Sequence, residues 1–82
     1  MILTGDINMI YKARLVKINN LPKLMYNVTS VKPNKKYGYF EITTKIYQHQ
    51  IITTHRFADV DYVELYDEKD PAKVVKVIHK EQ

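Results

Sequence analysis

KPNKKYGYFEITTKIY, residues 32–47, decides how this chain folds. Its first five residues are lysine, proline and asparagine, a loop by composition. From Tyr37 the pattern changes to strict alternation. Phe40, Ile42, Thr44 and Ile46 share one face, while Tyr37, Tyr39, Glu41, Thr43 and Lys45 share the other. A period of two belongs to a half-buried strand, because successive side chains of extended backbone point to opposite faces. A helix would repeat its apolar residues three and four apart instead. Residues 37–47 are therefore predicted to be a strand. Gly38 falls on the Phe40 face, and a glycine inside a strand marks a bulge or a sharp bend.

The same alternation extends outward. Residues 9–18 place Met9, Tyr11, Ala13 and Leu15 on one face, with Lys12 and Arg14 on the other. Asn19, Asn20 and Pro22 then form a turn, since asparagine tolerates left-handed backbone and proline presets its own φ. Residues 23–31 set Leu24, Tyr26 and Val28 against Met25, Asn27 and Thr29. After residue 47 the chain must reverse at Gln48 and His49, although no glycine or proline marks the place. Residues 50–57 follow as a strand. Residues 60–66 are another, with Val63 and Leu65 opposite Tyr62 and Glu64, and residues 67–71 are an acidic turn. Residues 72–80 read two ways. Asp70 and Pro71 suit the start of a helix. VVKVI, however, is four β-branched residues in five, which favours a strand.

Composition agrees with strands. Valine, isoleucine and threonine supply 23 of the 82 residues, and there are seven tyrosines but only three alanines. These side chains fit a pleated surface. The expected fold is all-β: a small antiparallel meander of five or six strands, curled or closed into an SH3-like or OB-like barrel. The alternative is an antiparallel sheet with one short C-terminal helix. The length bounds the chain to one small domain, with residues 1–8 as a possible tail.

Charge is uneven. Net charge is +4, but residues 1–56 carry +7 and residues 57–82 carry −3. Such asymmetry orients a partner's approach. The absence of cysteine excludes disulfides and thiol chemistry and fits a cytoplasmic protein. No segment has the roughly 20 apolar residues that span a bilayer, so no membrane association is expected. Richness in Lys, Ile, Asn and Tyr follows AT-rich codons, which points to a bacterial, phage or mobile-element source.

Catalytic signatures are thin. Ser30 is the one serine, and two glycines cannot build a phosphate loop. His49 and His55 would stand about 20 Å apart on one strand, too far to share a metal. No enzyme activity, metal or cofactor is expected. Binding has more support. Lysine and arginine neutralise phosphates, and tyrosines on a sheet stack unpaired bases. The expected site is Lys12, Arg14, Lys35, Lys36, Tyr37, Tyr39 and Lys45, gathered on one basic face. The expected function is non-catalytic binding of RNA or single-stranded DNA there. The alternative is a protein-binding accessory factor or inhibitor that uses the same face or an exposed strand edge, or a homo-oligomer. The acidic segment DVDYVELYDEKD, residues 59–70, suits that alternative because it repels nucleic acid.

Overall fold

The computed structural model describes residues 10–81. The expected Met9 position and the expected tail lie outside them. Six strands form one antiparallel sheet, and no helix occurs among the described residues. The strands are β1 (Tyr11–Val16), β2 (Lys23–Asn34), β3 (Tyr39–Ile46), β4 (His49–Arg56), β5 (Tyr62–Asp67) and β6 (Asp70–His79). Their order across the sheet is β4-β3-β2-β1-β5-β6. Four strands run as a meander, β5 returns to pair with β1, and β6 folds back on β5. The C-terminal segment is thus a strand, as its β-branched run favours, and not the helix that Asp70 and Pro71 permit.

The sheet is curled but not closed: β4 and β6 are its two edges. The β4–β5 connection shows why it must curl. Four interstrand spacings separate these strands, about 19 Å on a flat sheet. Only residues 57–61 join them. Part of that connection is spent in a tight turn, where the Asp59 and Val60 N–H groups both donate to the Arg56 carbonyl at 2.9 and 3.1 Å. The remainder is too short for a flat sheet. The Asp61 N–H also donates to the Val16 carbonyl at 2.7 Å, which ties the connection to the end of β1. Curling brings β6 against β2, although β1 and β5 lie between them in the sheet.

The concave face holds the core: Ala13, Leu15, Val28, Phe40, Ile42, Val63, Leu65 and Ile78, with Val60 from the connection. Phe57 packs edge-on against Phe40 at 5.0 Å. On β1, β3 and β5 these residues keep the alternation read from the sequence. Strand β2 does not. Its inward residues are Met25, Val28 and Val31, while Leu24 and Tyr26 are exposed. The expected grouping of Leu24 and Tyr26 with Val28 is therefore wrong. The cause is two bulges. Asn27, with φ of 58°, lies where the β1–β2 register slips between Tyr11 and Ala13. Thr29 lies where the β2–β3 register slips between Val28 and Ser30. An extra residue moves each following side chain to the other face.

Three turns also differ from expectation. The acidic turn is only residues 68–69 and not 67–71, because Asp67 ends β5 and Asp70 opens β6. β2 runs through Lys32 and Pro33 to Asn34, so the turn is residues 35–38 and not 32–36. Tyr37 and Gly38 belong to this turn rather than to the strand. Gly38 has φ of 76°, a left-handed conformation closing the loop. The next reversal uses residues 47–48, one position earlier than read, with Tyr47 at φ of 57°.

Candidate nucleic-acid interface

The β2–β3 turn builds the aromatic part of the site. Asn34 organises it from both ends. Its side-chain oxygen accepts the Tyr37 N–H at 3.2 Å, and its carbonyl accepts the Gly38 N–H at 2.8 Å. The Gly38 carbonyl accepts the Phe57 N–H at 2.8 Å, so the turn is anchored to the β4–β5 connection. Tyr37 then lies beside Tyr39, the first residue of β3. Their rings are near parallel at 11°, with centroids 6.2 Å apart. That spacing means an offset pair, in which each ring keeps part of a face free. Lys36 Nζ stands 5.4 Å from the centre of the Tyr37 ring. Tyr37 is 65% exposed.

Tyr39 is directly opposite Arg56 on β4. Arg56 Nε binds Asp59 Oδ2 at 3.0 Å, an exposed ion pair that competes with water for little gain. Arg56 also lines a cavity of about 500 Å³ between the β1–β2 loop and the end of β4. Lys17, Lys23 and His55 line it too, with Leu21 and Asp59. Lys17 pairs with Asp61 at 3.6 Å. Asp61 accepts the Ile18 N–H at 2.8 Å, which, with Lys17 and Lys80, holds its carboxyl below the usual range. His55 Nε2 lies 2.9 Å from Thr53 Oγ1. Burial, and then the charge of Lys23, lower the His55 pKa.

The expected site residues fall into three groups on the convex face. Lys35, Lys36, Tyr37 and Tyr39 gather at the β2–β3 turn. Lys45 lies six residues along β3, about 20 Å away. Lys12 and Arg14 are on β1, with all of β2 between them and β3. They are also occupied. Lys12 Nζ sits over the Tyr66 ring at 5.9 Å. Arg14 Nε is 3.1 Å from Glu64 Oε1, off the hydrogen-bond direction, while the Tyr66 hydroxyl donates to that same oxygen at 3.0 Å. Burial, and then Glu64, raise the Tyr66 pKa. The acidic strand β5 thus neutralises Arg14.

Sequence reasoning missed Arg56, Lys17, Lys23 and the cavity. Lys17 and Lys23 flank one turn, but nothing local joins them to residues 55–56. Among the described residues, no three histidine, aspartate or glutamate side chains gather as a metal site requires. No helix among them is long and apolar enough to cross a membrane. No family model, curated protein or solved structure matches this chain.

Proposed function

We propose that this protein is a non-catalytic module that binds RNA or single-stranded DNA at the β2–β3 turn. The observation that carries the reading is the offset, solvent-facing Tyr37–Tyr39 pair with Lys36 over one ring and Arg56 opposite the other. Unpaired bases stack on such rings whatever their sequence, while the cations take the backbone. Lys35 and Lys36 meet phosphates on one side. Arg56 leads on the other side to the cavity walls of Lys17 and Lys23. Duplex DNA is a poorer ligand, because its bases are already stacked. Lys12, Arg14 and Lys45 add only long-range attraction in this arrangement.

Fluorescence anisotropy with labelled single-stranded RNA and DNA at two salt concentrations tests the proposal. Tyr37→Ala and Tyr39→Ala should each weaken binding about tenfold, the worth of one stacked base. Lys35→Ala with Lys36→Ala should reduce the slope of log K against log salt by about 1.4, two phosphates' share on a single strand. No binding at micromolar protein in about 50 mM salt, where phosphate contacts are strong, sinks the reading. Binding that ignores all four substitutions sinks the site.

A further inference from the structure

The two sheet edges are built differently. On β6, the pairing with β5 slips twice, between Leu65 and Tyr66 and between Tyr66 and Asp67. That strand also contains Pro71, Lys73 and Lys76. Register breaks, proline and lysine are the usual means of blocking a strand edge. On β4, none of these occurs. HQIITTHR pairs with β3 through eight consecutive residues without a slip. It has no lysine, acid, proline or glycine, and its one full charge, Arg56, is at its end. It contributes no buried residue to the core, yet carries two exposed isoleucines, Ile51 at 48% and Ile52 at 65%. Nothing among the described residues pairs with its outer side.

The register says which occupant fits. The two-residue turn makes Ile46 and His49 the closing hydrogen-bonded pair. Alternation then points the N–H and C=O of Ile51 and Thr53 at β3. The Thr44 hydroxyl donating to the Ile51 carbonyl at 3.4 Å agrees. The outward groups are those of Gln50, Ile52 and Thr54. An antiparallel copy of β4 related by a twofold axis at Ile52 pairs every one of them: Ile52 with itself, and Gln50 with Thr54. The pleat is kept, because Ile51 meets Thr53 and His49 meets His55 on the concave side. Arg56 meets only Gln48, so no two like charges face each other.

We infer that β4 is a homodimer edge, taking a second copy of this chain antiparallel about Ile52 to make one continuous twelve-stranded sheet. The axis is perpendicular to the sheet, so both convex faces stay on the same side. The two Tyr39–Arg56 positions then lie roughly 30 Å apart, which would let one extended strand engage both.

Sedimentation velocity from micromolar to about 1 mM protein should show a concentration-dependent dimer. Ile52→Lys places two ammonium groups opposite each other on the axis, and should raise the concentration for half-dimerisation at least about tenfold with unchanged circular dichroism. Cross-linking checks the register independently of that variant. Directly opposite Cα atoms in a hydrogen-bonded pair are about 5.5 Å apart, within disulfide reach. Ile52→Cys should therefore oxidise to a covalent dimer. Thr54→Cys should not, because the two copies of residue 54 lie about 14 Å apart. A monomer at every concentration overturns the proposal, and so does equal cross-linking at both positions. Slow exchange of the Ile52 amide in a monomer would show the edge covered from within the same chain, and would also overturn it.

Discussion

Among the described residues, Tyr47 is the one bulky side chain on left-handed backbone. Its φ of 57° occurs in a two-residue hairpin turn whose second residue has negative φ, a geometry that usually takes glycine at the first position. Left-handed backbone costs a residue with a Cβ about 1–2 kcal/mol. The ring gives nothing back, since Tyr47 is 91% exposed. Tyr47→Gly should therefore stabilise the protein by about 1 kcal/mol, less the entropy glycine adds to the unfolded chain. Thermal unfolding should show a rise of a few degrees, and a fall would mean the ring has a partner in solution. Gly38 is the complementary case. A Cβ there would meet nothing within 4 Å, so the glycine is needed for its φ of 76° alone.

Strand β2 shows what two extra residues do to an element. Without bulges, Val28 would share a face with Tyr26 and Leu24, and two of the sheet's large side chains would enter the core. With them, Met25, Val28 and Val31 point inward at a spacing of three. Asn27 makes the first bulge feasible, because asparagine tolerates left-handed backbone better than any other residue with a Cβ of its size. Asn27→Val should cost about 2 kcal/mol or more, as a β-branched residue suits this region least. Asn27→Gly should be nearly neutral. Urea unfolding of the two variants separates the cases. Equal losses in both would show that the Asn27 side chain, not its backbone, matters.

For the whole molecule, the consequence of curling is clearest at His55. It lies on the concave side of β4, opposite Phe40, and β3 separates β4 from β2. Curvature nevertheless brings Lys23 of β2 close enough for its charge to act on the imidazole. Burial and Lys23 both disfavour the protonated ring, so the folded-state pKa lies below the unfolded value of about 6.5. The unfolded chain then takes up a proton that the folded chain refuses. Stability should fall as pH is lowered through about 6.5 toward the folded value, and be unaffected by this group above it. His55→Gln should flatten that part of a plot of urea midpoint against pH. An identical slope in the variant would show that burial and Lys23 do not depress the His55 pKa in solution.

Much of the architecture was legible because extended backbone writes its own period into the chain. Alternation identified the strands, and on β1, β3 and β5 it also identified the buried side: Ala13 and Leu15, Phe40 and Ile42, Val63 and Leu65. It brought Tyr37 and Tyr39 together, although through a glycine turn rather than through one strand face. What alternation cannot carry is a shift in its own phase. A bulge at Asn27 or Thr29 and a left-handed Tyr47 depend on how neighbouring strands pair. Nor does local pattern specify curvature. The sheet's curl, set by a connection too short for a flat sheet, brought Arg56, Lys17, Lys23 and His55 around one cavity. Strand order, meanwhile, put β5 with Glu64 against Arg14 and divided the basic face in two. The sequence alone determined strand content, the faces of the unbulged strands β1, β3 and β5, and charge. Only the tertiary structure decided which charges meet, because that depends on register and curvature between residues remote along the chain.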